Sequence, residues 1–142
     1  MVIDDAELAE RVARSLDGTL GFKIEDVSED HATGSFEVVD AVRQPMGIVH
    51  GGAYAAMAET LASATTFMFV REGGEIAVGQ SNLTSFLRPV ASGTVHAEAR
   101  RRHRGRTSWV WEVDFTDDEG RLCATSRITL AVRPMPDAAD RP

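Results

Sequence analysis

With 142 residues and a formal net charge of −7, the chain suits one domain with one core, and its negative surface disfavours nonspecific binding to nucleic acid or anionic membrane. The longest apolar run falls far short of the roughly 20 residues a spanning helix needs, and the acidic start MVIDDAELAE lacks the basic-then-apolar order of a signal peptide. A lone cysteine, Cys123, cannot close an intramolecular disulfide, so the totals point to a reducing, cytoplasmic setting.

Residues 4–17, DDAELAERVARSLD, place Leu8, Val12 and Leu16 at helical spacing, with Asp4 or Asp5 as cap and Gly18 as the stop. HATGSFEVVD predicts a strand, Ala32, Gly34, Phe36 and Val38 alternating with more polar neighbours. AVRQPMGIV, with its proline and glycine, reads as a loop. A long helix then runs from about Gly51 to Val70, and the glycines of REGGE stop it. Beyond it the period changes to two. IAVGQSNLTSFLRPV predicts a strand ending at Pro89, and GTVHAEARRRHRG a second that turns at Arg104-Gly105. RTSWVWEVDF puts Trp109, Trp111, Val113 and Phe115 on one face, for a core or an interface. After the turn DDEG, RLCATSRITLAV puts Leu122, Ala124, Ser126, Ile128, Leu130 and Val132 on one face. The tail 133–142 reads as loose. These four strands predict an antiparallel meander. With the alanine-rich helix, which is apolar nearly all round and needs cover on nearly all sides, they predict an α+β fold: an antiparallel sheet wrapped around a long central helix, in a single domain over 1–142 with an N-terminal helix within 1–20.

One residue conflicts with that helix. In HGGAYAAMAETLASATT, Glu59 interrupts an otherwise apolar run. A carboxylate there either faces solvent at a gap in the packing, or sits partly desolvated in a cleft, where its raised basicity suits a general base or a nucleophile. Ser63 lies one turn on, on the same face. His50-Gly51-Gly52 precedes the helix, whose first N–H groups lack internal partners and lie at the positive end of the helix dipole, a candidate oxyanion site.

The run Gln44-Pro45-Met46-Gly47-Ile48-Val49-His50-Gly51-Gly52, followed by Glu59, resembles the hotdog-fold acyl-CoA thioesterases of the PaaI and 4-hydroxybenzoyl-CoA thioesterase type. Ser81-Asn82-Leu83-Thr84-Ser85-Phe86-Leu87-Arg88-Pro89 looks like the family's strand after the helix, and Gly105-Arg106-Thr107 and Gly120-Arg121-Leu122-Cys123-Ala124 fall where its later strands do. The resemblance covers roughly residues 30 to 132 and specifies the superfamily better than the substrate. It implies the same helix-in-sheet fold, hydrolysis of an acyl-CoA, and a homodimer with shared active sites, often paired into a homotetramer. In the branch that uses Glu with Gln, the site maps to Gln44, Gly51, Glu59 and Ser63, with Ser63 replacing a Thr but keeping its hydroxyl. The other branch prefers Asn and Asp, each one methylene shorter than Gln44 and Glu59.

By that resemblance, the Gly51 N–H polarises the thioester carbonyl. Glu59 of the partner subunit attacks it or activates a water. Gln44 orients the water or the acyl group, and Ser63 positions the acyl group or Glu59. His50 holds the loop, and Gly52 joins Gly51 in admitting the ligand. Coenzyme A, part of the substrate rather than a cofactor, needs a basic patch for its phosphates. ARRRHRGRTS offers one, with Arg106, Thr107 or Ser108 near the nucleotide, and Arg88 stands where the matching branch places a further arginine. The same run also reads as a solvated hairpin end. The acyl group stays open among aromatic (hydroxybenzoyl- or phenylacetyl-type), short-chain and fatty. No cofactor is expected, and His31, His96 and His103 lack metal-ligand spacing. Cys123 reads as a core thiol, and no G-x-S-x-G motif is present. Two alternatives remain: a non-catalytic acyl-CoA sensor of the same fold, and a hotdog hydratase or dehydratase, whose catalytic His spacing is not found.

Overall fold

The computed structural model describes residues 5–137 and 139. The first segment folds as two helices, α1 (Asp5–Ala13) and α2 (Leu16–Leu20), rather than the expected single one. Ser15 is extended (φ −89, ψ 179), which breaks α1 and heads α2. Gly18 is therefore not a stop but an interior residue of α2. A Cβ there would lie 2.5 Å from the carbonyl oxygens of Val12 and Ala13, so only glycine lets α2 fold back on the end of α1. Gly21, with φ 72, ends α2 instead. Of the two expected caps, Asp4 lies outside the described residues and Asp5 is already the first helical residue.

Six strands follow: β1 (Lys23–Val27), β2 (His31–Glu37), β3 (Glu75–Phe86), β4 (Thr94–Arg104), β5 (Ser108–Thr116) and β6 (Leu122–Pro134). They form one antiparallel sheet in the order β1-β2-β4-β5-β6-β3. The expected four-strand meander holds only for β4-β5-β6. β4 has two edges, of which β5 takes one and β2 the other, so β3 pairs with the outer side of β6, from Glu75↔Pro134 to Phe86↔Ala124. β3 also ends at Phe86, short of the expected Pro89. β6 extends past Val132, and the Met135 N–H donates to the Gly74 carbonyl (2.8 Å), so the first part of the expected loose tail, Arg133 to Met135, is held in the fold, while 138 and 140–142 lie outside the described residues.

The long helix α3 (Gly51–Val70) lies on this sheet. Met57, Ala58, Leu61 and Ala62 are fully buried, as are Trp111, Val113, Phe115 and Leu130. The Trp111 indole N–H donates to the Thr66 hydroxyl at 2.9 Å, which satisfies the one polar group of the largest core side chain. The faces predicted for β5 and β6 are buried except at Leu122, which is exposed at the mouth of the β5–β6 turn. Cys123 is buried, and burial pushes its thiol pKa up, so it stays a neutral core group.

α3 is covered over most of its circumference but not all of it. Gly52 and Glu59 are exposed on one face that the sheet leaves open, and Phe67, Met68 and Phe69 are exposed around the last turn. Along the edge of that face runs β3, antiparallel to the helix: Phe86 meets Gly51, Asn82 meets Ala55, and Gly79 meets Glu59. Among the described residues no helix is long and apolar enough to cross a membrane.

Candidate active site

The loop before α3 is built to present the helix start. The Gln44 N–H donates to the Ile48 carbonyl and the Gly47 N–H to the Gln44 carbonyl, both at 2.9 Å, with Gly47 in the left-handed region (φ 86) that favours glycine. The Gln44 side-chain oxygen accepts from the Met46 N–H, which leaves its NH2 free to donate. The N–H groups of Val49 and His50 donate to the carbonyls of Val90 and Val42, each at 2.8 Å, anchoring the loop to the body of the fold.

His50 is the N-cap of α3. Its Nδ1 accepts from the Gly52 N–H at 2.8 Å, so the bonded ring carries its proton on Nε2. The bond ties the ring to the first turn of α3. Replacing His50 with alanine removes the cap, and thermal unfolding should show a loss of ~0.5–1 kcal/mol.

Gly52 and Ala53 give their N–H groups to His50, to its side chain and its carbonyl respectively. The Gly51 N–H has no acceptor among the described residues. It opens on a cleft of 550 Å³ lined by Gln44, Ile48, His50, Gly51, Gly52, Tyr54, Phe86 and Arg88. Two of these aromatic residues went unnoticed in the sequence. The Phe86 ring lies over Gly51, where a Cβ would stand 2.7 Å from its tip, so the residue after His50 must be glycine for that ring to seat. Tyr54 packs edge-on against Phe115 and forms the floor; burial pushes its pKa up to about 12, so the phenol stays neutral, and its hydroxyl has no partner among the described residues. Arg88 is exposed and makes no ion pair among the described residues.

The other expected residues lie elsewhere in the chain. Glu59 is eight residues from Gly51, ~12 Å along the helix axis, exposed, and set against β3 at Gly79. Ser63, half-buried, follows one turn on. Arg106, Thr107 and Ser108 form the β4–β5 turn, whose Thr107 carbonyl accepts from the Val132 N–H. Arg88 instead donates its N–H to Cys123 at the start of β6, so the two sites stand ~30 Å apart along that strand. The arginine run is largely engaged already: Arg100 pairs with Glu98, Arg101 and Arg104 with Glu29, and Arg102 with Glu112. Arg101 and Arg104 also flank the Trp109 ring, at 4.6 and 5.2 Å from its centroid. Of the five arginines, only Arg106 lacks an ion pair among the described residues.

One chain therefore assembles Gln44, His50, Gly51, Gly52 and Arg88 in a cleft, and displays Glu59 and Ser63 on the open face of α3. Among the described residues no group of three or more His, Cys, Asp or Glu is placed to hold a metal ion.

Comparison with known proteins places this geometry. The thioesterase superfamily profile matches residues 46–124, from the loop through the start of β6. The proofreading thioesterase EntH of Klebsiella pneumoniae is 45% identical over 95 residues, covering 66% of this chain and 69% of that protein. The crystal structure of a mutant of thioesterase PA1618 from Pseudomonas aeruginosa superposes with a TM-score of 0.85 at 32% identity, covering 95% of this chain and 97% of that one. Thioesterase HI1161 from Haemophilus influenzae does so with a TM-score of 0.85 at 33% identity, over 97% and 96%. The chain belongs to the thioesterase superfamily and is a hotdog-fold thioester hydrolase.

Proposed function

We propose that this chain hydrolyses acyl-CoA thioesters at sites shared between two copies, each site formed by the cleft of one copy and the open helix face of the other. The observation that carries the reading is the Gly51 N–H, unpartnered at the positive end of a 20-residue helix in a cleft otherwise lined largely by apolar side chains. A thioester carbonyl seated there receives a hydrogen bond that strengthens as its oxygen gains charge. Glu59 then attacks the carbonyl carbon or takes a proton from an attacking water, and the thiolate leaves. The free NH2 of Gln44 orients the water or the acyl oxygen, and Ser63 steadies Glu59 or the acyl group. The walls of Tyr54, Phe86 and Ile48 suit an apolar acyl group, aromatic ones included.

The need for a second copy follows from direction. β3 is an edge strand of 12 residues with an unpaired outer side, and Val78, Leu83 and Phe86 are exposed along it. Two such edges brought together by a two-fold axis run antiparallel. Because Gly51 lies by Phe86 and Glu59 by Gly79 near opposite ends of β3, the same axis brings the Glu59 of one copy toward the Gly51 of the other.

The test is thiol release from a panel of aromatic and aliphatic acyl-CoAs. Turnover supports the reading, and binding without free thiol replaces it with a sensor. Arg88, at the mouth of the cleft, is assigned to the phosphates of coenzyme A. Arg88→Ala should raise KM for an acyl-CoA roughly tenfold and leave KM for the matching acyl-pantetheine unchanged. Equal effects on both substrates remove Arg88 from the phosphate site.

A further inference from the structure

We infer that Gly79 is a positioning residue for Glu59: the missing side chain on the edge strand sets where the carboxylate stands. The inference rests on the reading of Glu59 as the reacting carboxylate. Its ground is a close approach between the strand and the carboxylate. A Cβ on Gly79 would lie 3.2 Å from Glu59 Oε1, and its three nearest heavy atoms all belong to the Glu59 side chain. The backbone does not ask for glycine there, since Gly79 is not among the residues with positive φ. Glycine inside a strand weakens it, and commonly marks a bulge or a close approach. Both are present. The β3–β6 register shifts between Gly79 and Ser81, so the bulge falls where the strand passes the carboxylate.

A second contact fixes the strand at that distance. The Asn82 side-chain amide donates to the Ala55 carbonyl at 2.9 Å, one helical turn before Glu59. Asn82 is held in turn by the Thr84 hydroxyl (2.7 Å), which meets the buried Ser126 hydroxyl (2.8 Å). β3 is thus tethered to α3 at Asn82 and relieved of a side chain at Gly79. With the tether in place the strand cannot back away, so an added methyl group must displace the Glu59 carboxylate or strip water from it.

The decisive experiment compares Gly79→Ala, Glu59→Asp, Glu59→Gln and the double variant Gly79→Ala/Glu59→Asp on one acyl-CoA. Gly79→Ala should keep or raise the melting temperature, because the backbone tolerates alanine and the unfolded chain loses freedom. It should lower kcat roughly tenfold, since displacements of a fraction of an ångström are felt in the reacting geometry, while KM stays within about twofold. Shortening the carboxylate makes room for the methyl group: Glu59→Asp should cost less on the Gly79→Ala background than on the wild type. Wild-type kcat in Gly79→Ala, or strictly additive effects in the double variant, overturn the inference. Turnover by Glu59→Gln at the wild-type rate fails the underlying reading instead, so the two failures are told apart.

Discussion

Glu59→Gln should abolish turnover while leaving the fold untouched. The substitution keeps shape and volume but removes the lone-pair basicity that either attack on the carbonyl or activation of water requires. A loss of roughly 10³-fold or more in kcat is expected, the scale of a general base or nucleophile. Glu59 is exposed, and among the described residues no ion pair or hydrogen bond of its carboxylate holds the helix. Thermal unfolding should therefore agree with wild type to within ~0.5 kcal/mol, as for surface substitutions away from structural contacts. That pairing of outcomes is informative because a carboxylate that merely fills a gap in helix packing gives small changes in both. Parallel losses of activity and stability would instead make Glu59 a structural residue, and a rate near wild type would end its catalytic role.

How much of this was legible in the sequence depended on whether a contact is local. The bounds of α3 were readable because its apolar run is bracketed by His50-Gly51-Gly52 on one side and Gly73-Gly74 on the other. β4, β5 and β6 were readable because Trp109 to Phe115 and Ala124 to Val132 alternate into the core. β1 was missed because KIEDV is an edge strand with almost nothing buried, so no alternation marks it. The destination of β3 was missed for a different reason. It depends on which strand edges remain free after β2 and β5 claim β4, and that is a property of the whole sheet. The site divides in the same way. Gln44, His50 and Gly51 lie in one loop and the helix turn after it, so their proximity follows from the chain itself. Phe86 and Gly79 enter only through the docking of β3 along α3. The ion pairs of the arginine run were not legible because Glu29, in the β1–β2 turn, and Glu112, on β5, are brought to it only by the sheet.

Mixing two inactive variants should restore activity. Gln44→Ala lesions the cleft and Glu59→Gln the helix face, each on its own lowering turnover, the first by roughly 10²-fold. If the two half-sites of one active site come from different copies, a dimer of one Gln44→Ala chain and one Glu59→Gln chain contains one doubly damaged site and one intact site. Purified mixed dimers should then show about half the wild-type rate, and a random equal mixture about a quarter, since half its dimers are mixed. If Gln44 and Glu59 acted within one chain, every site in the mixture would carry one lesion and no activity would return. The geometry favours the first outcome. Gly51 and Glu59 of one chain stand ~12 Å apart along a rigid helix, farther than a carboxylate can reach a carbonyl bonded to the Gly51 N–H. No side-chain rotation closes that gap, and α3 is held by the buried contacts of Met57, Leu61 and Thr66. On the proposed reading the exposed edge of β3 supplies the remedy: two-fold pairing along it would reverse the helix direction and set one copy's carboxylate at the other's helix start. Recovery in the mixture, measured as thiol release against the two parent variants, is thus a test of the shared site that needs no knowledge of the natural acyl group.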